Sequence, residues 1–502
     1  MAGIGVKLNK IYEKSTITTD LYGFIYSTVI TIAPMLLVFA AIMLMQFWLG
    51  FSRVSYAARE LYSCTVLYIF IFAFLVVSPF NPVISRFMSD MIYEEKYEDI
   101  LACFYAGLFM TVVLGCILGI PFCLHEHFVG EVPVYYVFTG FCGYISLIMV
   151  IYCMTYLSIS KDYKRVSFFF LIGMALTIVL SLIFCFIFCM EPTYSALLGL
   201  VLGFFVIAVL EYGQVRQFFP VNSGKYGMML RYFRKYWQLI FINFLYVLGL
   251  YTHNFVFWTT ELRIVVVKSF VCAEPYDVAT CIAMFTNIAA SVIFISRVEM
   301  RFRERYKAYT EAVIGGRWMD IETSKKRMFR HLSDELVGLV RIQFIVSVVI
   351  YFLAILFLPR FGYGGLVMEF YHCLAAGYFP LFIMYAAILF LYYFNDLVGA
   401  LFTSILFFVT VLAGSIIGTH LPYLWGGIGV FAGSMVGFVV AYFRLRWLER
   451  RLDFHVFCDG RILKTTVGKM PSGKVLDRYN GVDETEIKKK VQTEATGLEV
   501  PV

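Results

Sequence analysis

The 502-residue chain is 61% hydrophobic and 19% aromatic, with only 15% charged residues and a formal net charge of +7. A soluble domain carries about 25% charged and about 45–50% apolar residues, so this balance excludes an ordinary water-soluble enzyme and makes the bilayer the expected solvent. Membrane-barrel strands are excluded too: they alternate apolar and polar residues over about 10 positions, whereas the apolar runs here are continuous and about 20 residues long, the length a helix needs to cross hydrocarbon.

The start, "MAGIGVKLNKIYEKSTITTD", is basic but too long and polar for a cleaved leader, so the first apolar run reads as an uncleaved span. About twelve spans are expected in chain order: Leu21–Leu49, Leu61–Ser85, Ile100–Leu124, Val134–Leu157, Val166–Met190, Tyr194–Tyr212, Trp237–Thr260, Val278–Ser296, Val337–Leu358, Leu374–Phe394, Leu397–Thr419 and Trp425–Phe443. Pro34 in the first and Pro79 and Pro82 in the second can break helices where a path needs bending or free backbone. The basic linker "QVRQFFPVNSGKYGMMLRYFRKYWQ" divides the spans six and six. The expected architecture is an all-α polytopic membrane protein of two parallel six-helix bundles related by an axis along the membrane normal. Its parts are residues 1–215, a cytoplasmic linker 216–236, a second bundle 237–455 with a cytoplasmic helical insertion 297–336, and a charged, partly disordered tail 456–502.

Lys and Arg are retained on the cytoplasmic side during insertion. With the N-terminus inside, 35 of the 41 fall in inside segments, 5 in outside loops, and Arg341 within the ninth span. The alternation supports the helix count and places both termini in the cytoplasm. The largest internal inside loop, "RVEMRFRERYKAYTEAVIGGRWMDIETSKKRMFRHL", reads as two helices interrupted by Gly315 and Gly316. Val298, Phe302, Tyr306, Tyr309 and Val313 make one apolar stripe and Trp318, Ile321, Met328 and Leu332 a second. Such a pair could lie solvated near anionic headgroups or dock a cytosolic partner.

Catalytic motifs are missing. There is no phosphate-binding Gly loop, no H-E-x-x-H and no nucleophile elbow, so no enzyme activity, cofactor or metal is expected. The "HEH" at His125, Glu126 and His127 lacks further ligands for a metal site. Most of the 12 cysteines sit in spans as small apolar groups; Cys272 and Cys373 fall in outside loops, but spacing does not show that they meet.

Polar side chains at membrane depth must face a partner helix or a watery route. The candidates for a substrate path are Asn81 and Arg86 near "SPFNPVISRF", Asn243, His253 and Asn254 in the seventh span, Asn287, and the pair Asn395 and Asp396, with Glu211 a further buried acid. Bonding between helices is the ordinary role of any one of them. The seventh span is the strongest candidate to line a path, because His253 and Asn254 are adjacent and Asn243 lies about three turns away. A surplus of tyrosine, 35 residues, would suit a carbohydrate route or simply pack.

Five stretches in order, "MAGIGVKL", "YGFIYSTVITIAPML", "RVEMRF", "YYFND" and "LERRLDFHVFCDG", together resemble the PelG family of exopolysaccharide exporters in the multidrug/oligosaccharidyl-lipid/polysaccharide flippase superfamily, over the chain to about Gly460. The resemblance implies a translocator in the cytoplasmic (inner) membrane for a Pel-like polysaccharide rich in N-acetylgalactosamine and galactosamine, in service of a biofilm matrix. It further implies a PelF-like cytosolic glycosyltransferase, a PelD-like cyclic-di-GMP receptor and a PelE-like membrane scaffold as partners. On that footing Phe302, Tyr306 and Trp318 become candidates to seat the glycosyltransferase. His253, Asn254 and Asn395 stand where the family pattern leads one to expect charge, which bears against a carried-over charge-coupled mechanism. The alternative is an ion-coupled exporter of small molecules or lipid-linked oligosaccharides from the same superfamily.

Overall fold

The computed structural model describes residues 17–160, 162–293, 299–361 and 364–457; the side chains of 17–32, 285–293, 299–301, 303, 361 and 453–457 lie outside that description. The opening "MAGIGVKL", Arg297, Val298 and the tail from residue 458 therefore fall outside the described residues. Helices dominate, in the order α1 (Ile17–Trp48), α2 (Tyr56–Val77), α3 (Asn81–Tyr93), α4 (Tyr97–Phe128), α5 (Val134–Ile159), α6 (Tyr163–Phe186), α7 (Pro192–Phe218), α8 (Gly227–Lys235) and α9 (Trp237–Phe257). A hairpin of β1 (Ile264–Val266) and β2 (Phe270–Cys272) follows, then α10 (Glu274–Ile293), α11 (Glu299–Gly315), α12 (Trp318–Phe357), α13 (Leu366–Tyr393), α14 (Leu397–Gly418) and α15 (Ile428–Phe457). Among the described residues ten helices are long and apolar enough to cross a membrane.

Local chemistry sets several boundaries. The Ser55 hydroxyl accepts from the Ala58 N–H and starts α2. Proline lacks the N–H that a continuing helix needs. Accordingly the second expected span stops at Val77, before Pro79, and restarts as α3 with Pro82 in its first turn. The glycine pair likewise separates α11 from α12. Beyond it α12 is one 40-residue helix, roughly 60 Å long, which carries the second half of the charged insertion and the ninth expected span as a single rod about twice the hydrocarbon thickness.

The hairpin is the departure from an all-helical reading. Its strands are antiparallel, with Ile264 opposite Cys272 and Val266 opposite Phe270. Val267 and Lys268 in its turn have φ of 46° and 63°, in the left-handed region that a β-branched residue rarely enters. Contacts beyond the strand must hold that turn in place, and they come from the other side of the molecule, as described below.

Helix pairing repeats along the chain. In the N-terminal part α1 packs on α6, α2 on α5, α5 on α7 and α6 on α7; in the C-terminal part α9 packs on α14, α10 on α13, α13 on α15 and α14 on α15. Both final pairs use glycine for close approach. A Cβ at Gly203 would sit 1.8 Å from Thr177 Oγ1 and one at Gly199 2.0 Å from Ser181 Oγ. On α15 a Cβ at Gly429 would meet Ser415 Oγ at 2.2 Å, and Gly433 and Gly437 extend that stripe at four-residue spacing. Small residues at this spacing let helix backbones pack closely where lipid removes the hydrophobic drive to associate.

Buried side chains form two cores, one built mainly from α1–α8 and one from α9 onward. Each borrows from the other side. Ile71, Leu75 and Val83 of α2 and α3 belong to the second core, while Val266, Phe270 and Cys272 of the hairpin belong to the first.

Candidate functional site

The expected polar residues separate into two groups along the seam where α2, α3 and α9 meet. At the hairpin end, α9 delivers adjacent side chains onto adjacent residues of α10. His253 is fully buried, with Nδ1 2.9 Å from the Tyr276 hydroxyl and Nε2 3.4 Å from the Tyr378 hydroxyl of α13. Tyr276 in turn donates to the Gly426 carbonyl at 3.4 Å. A proton on Nδ1 satisfies all three contacts at once, with Tyr378 donating to Nε2. Phe257 stacks on Tyr276 at 3.8 Å and fixes its ring.

Asn254 faces Asp277, a carboxylate 8% exposed. Asp277 accepts from Asn254 Nδ2 (2.7 Å), from Trp258 Nε1 (3.1 and 3.0 Å to its two oxygens) and from the Ala273 N–H (3.0 Å). The last bond reaches back over the first turn of α10, where a negative charge also suits the helix dipole. Among the described residues every donor to this carboxylate is neutral. Asn254 Oδ1 is buried without a hydrogen-bond partner among the described residues, which leaves one acceptor open beside the carboxylate.

The linker end holds the second group, roughly 15 Å further along α9. Asn243 Nδ2 donates to the Ser78 carbonyl at 2.7 Å, in the break between α2 and α3 that the prolines create. Asn81 Oδ1 accepts from Thr155 at 3.1 Å. Arg86 pairs with Asp90 at 3.4 Å and lies over the Tyr236 ring at 5.7 Å. Burial pushes the Asp90 carboxyl above its usual range, against the opposing pull of Arg86 and Lys235. Tyr232 of α8 packs edge-on against Phe87 at 4.9 Å, so the linker itself seals this end.

Other expected site residues lie elsewhere. Asp396 is fully buried but sits in the α13–α14 turn, about 18 residues and roughly 27 Å along from Tyr378. It binds Arg444 of α15 in a fork, Nε to Oδ2 at 2.6 Å and Nη2 to Oδ1 at 3.0 Å, and caps α14 through the Gly399 N–H. Asn395 has φ 55°, a conformation that Asn tolerates better than most residues, so the turn explains its identity. Asn287 lies on α10 and its side chain is outside the described residues. Arg341 is exposed on α12. Glu211 is fully buried on α7 with neither carboxyl oxygen hydrogen-bonded among the described residues.

The three docking candidates also separate. Phe302 is fully buried against Phe390 (4.9 Å), Tyr393 (5.3 Å) and Phe394 (5.9 Å), so its ring offers no surface in this conformation. Tyr306 is half-buried beside it at 6.1 Å, whereas Trp318 is 63% exposed. Part of the tyrosine complement is packing: Tyr62, Tyr152, Tyr156, Tyr276, Tyr309, Tyr371 and Tyr378 are among the largest fully buried side chains.

Four contributors were not legible as site residues. Tyr276 and Asp277 stand just before the apolar run of the eighth expected span, and Tyr378 looks like any aromatic of a span. Tyr68 is the fourth. Its hydroxyl donates to the Val271 carbonyl at 2.6 Å and accepts from the Val271 N–H at 3.2 Å, while its ring stacks on Trp258 at 5.1 Å. Glu126 and Glu131, at the far end of α4, bind Ser269 and Lys268 in the hairpin turn. Glu126 of the "HEH" is thus spoken for, and no group of three or more metal-capable side chains occurs among the described residues.

The sequence profile described as "PelG: Putative exopolysaccharide Exporter (EPS-E)" matches residues 1–457. No curated protein matches in sequence. Among solved structures, a MATE transporter in the bent conformation superposes with a TM-score of 0.57 at 15% identity, over 85% of this chain and 96% of that one. The Vibrio cholerae MATE transporter VcmN in the bent form gives 0.57 at 14% identity, over 90% and 99%. A multidrug resistance MATE family transporter of the MOP superfamily, outward-facing, gives 0.57 at 14%, over 86% and 96%. At such identities the likeness concerns the fold. The profile, by contrast, covers all but the tail, and the chain accordingly belongs to the PelG family of exopolysaccharide exporters, a multi-pass membrane translocator on a MATE-like helical fold.

Proposed function

We propose that this chain moves a Pel-like polysaccharide, rich in N-acetylgalactosamine and galactosamine, across the cytoplasmic membrane in support of a biofilm matrix. The family match over residues 1–457 carries this reading. The repeated helix pairing supports two six-helix halves of common orientation, residues 1–215 and 237–455, with both termini and the 216–236 linker in the cytoplasm and the route between the halves. His253, Asn254 and Asp277 would border the outer part of that route and Asn81, Arg86 and Asn243 the inner part. Polar groups already hydrogen-bonded to protein suit a hydroxyl-rich chain that must slide, because each bond to sugar can be exchanged for one already present. Reconstitution with the partner synthase tests the whole proposal: labelled polymer should reach the far side of the vesicle, and polymer retained on the synthesis side rejects it. Cysteine at 253 or 254 tests the placement. A membrane-impermeant thiol reagent should label it during turnover and slow export; protection with unchanged export rejects it.

A PelF-like glycosyltransferase would supply the chain, with a PelD-like cyclic-di-GMP receptor and a PelE-like scaffold beside it. The α11–α12 turn offers it a seat, since Ile314 (81% exposed), Trp318 and Met319 (76%) form an apolar tip on an otherwise charged hairpin. Replacing Trp318 and Ile314 with Ser should abolish co-purification of the synthase at normal protein levels, and unchanged recovery removes the tip from consideration.

The alternative, an ion-coupled exporter, draws on one observation: Asp277 is a buried carboxylate with only neutral donors, the kind of group a coupling cation needs. Transport by the Asp277→Asn variant decides between them. Loss of a Na⁺ or H⁺ dependence that the parent shows would favour ion coupling.

A further inference from the structure

The hairpin end contains a thiol pair. Cys64, on the third turn of α2, and Cys272, the last residue of β2, place their sulfurs 2.9 Å apart, and both side chains are buried, at 1% and 3% exposure. They are 208 residues apart in sequence and come from the two sides of the linker. Around them α2 already grips the hairpin through Tyr68 and Val271, and the last turn of α4 and the loop after it grip its turn through Glu126 and Glu131. We propose that Cys64 and Cys272 form a reversible disulfide that fastens the two halves together at the outer end of the seam and holds the exporter closed.

The placement rests on the orientation given under Proposed function, which puts the hairpin on the non-cytoplasmic side, where disulfides persist. The oxidant is a disulfide of the thiol-exchange class, small or carried by an oxidoreductase. While the hairpin is lifted from α2, one cysteine attacks it as thiolate and forms a mixed disulfide, releasing the first thiol. The second cysteine then displaces the remaining thiol as the hairpin seats. Two protein thiols are oxidised, one disulfide is reduced to two thiols, and the two protons pass to the leaving thiols. A bond at this place would bar any separation of α2 from β2, and with it an outward opening in which the hairpin leaves α2 together with the second half. Reduction releases it.

The test uses the full-length chain in membranes with a protease site inserted between Val221 and Gly224 of the linker, where the residues are largely exposed. After treatment with a membrane-impermeant aromatic disulfide and cleavage, the two fragments should stay joined on a non-reducing denaturing gel and separate on addition of dithiothreitol. In Cys64→Ala, Cys64→Ser or Cys272→Ala they should separate without reductant. Export by the parent should fall on oxidation and recover on reduction, and export by Cys64→Ala should be indifferent to both. Fragments that separate after oxidation of the parent by both the impermeant and a permeant oxidant, or that stay joined in every single variant, overturn the pairing. Joining by a permeant oxidant but not by the impermeant one upholds the pairing and reverses the orientation, so the two failures are distinguishable. Joining without any effect on export overturns the closed-state role.

Discussion

Two buried aspartates end up with opposite electrostatic company. Asp396 meets Arg444 in a bidentate fork at the α13–α14 turn, so its charge is cancelled where it stands. Asp277 meets only an amide, an indole and a backbone N–H. Neutral donors orient a carboxylate and lessen its desolvation cost, but they do not cancel its charge. The cancelled pair behaves as a clamp between α14 and α15. The uncancelled one still has something to offer a ligand, and it lies where the two sides of the molecule touch. Burial alone would have ranked them equally; the partner set separates structure from candidate function.

The comparison can be broken most forcefully at the clamp. Arg444→Met should cost about 3–5 kcal/mol, because it leaves Asp396 buried with its charge unpaired. Thermal unfolding in detergent would show it, and adding Asp396→Asn should recover most of the loss. If the single variant is as stable as the parent, Asp396 is not held by its arginine. At the interior, Phe302→Ala should cost a similar or slightly smaller amount, about 3–4 kcal/mol, from the cavity it leaves among Phe390, Tyr393 and Phe394. Trp318→Ser should stay within about 0.5 kcal/mol of the parent, as exposed positions do. A reversal of that order would restore Phe302 as a surface residue.

Asp277→Asn sharpens the comparison from the other side. The amide turns one acceptor into a donor that faces donors already present, a loss of about 1–3 kcal/mol. Export should fall by more than that stability change accounts for, whereas Asp396→Asn paired with Arg444→Met should export normally once folded. Tyr68→Phe should be milder, about 1 kcal/mol for the two bonds to Val271, and should speed hydrogen exchange at the hairpin without touching the α11–α12 region. Smallest of all, Glu211→Gln should leave stability unchanged or raised, since its carboxyl is buried without a bonding partner among the described residues. A large destabilisation would reveal a partner for that group.

The helices were legible in the sequence wherever a long apolar run met a strong local signal. The Pro79–Pro82 break and the Gly315–Gly316 interruption act within a turn or two, so their effect does not wait on tertiary contacts. The hairpin is not legible, because three-residue strands leave too short an alternation to register and their turn is held by Glu126 and Glu131, more than a hundred positions away. The glycine stripe on α15 is visible in the sequence at four-residue spacing. In the candidate site, His253 and Asn254 stand out as polar residues inside an apolar run, whereas Asp277 does not, because it lies one position before the apolar run that begins at Val278. Phe302 and Trp318 carried the same apolar signal on one hairpin, and nothing in their spacing told a buried ring from an exposed one.

By itself the sequence determined that this chain lives in a bilayer and roughly where it crosses, because hydrocarbon demands about 20 apolar residues whose backbone is satisfied internally, a condition each segment meets alone. Only the tertiary structure decided which polar side chains face one another. A hydrogen bond such as Asn254 to Asp277, or a contact such as Cys64 to Cys272, depends on the rotation and depth of whole helices, set by packing summed over many neighbours. No stretch of sequence short enough to read as a motif contains that information.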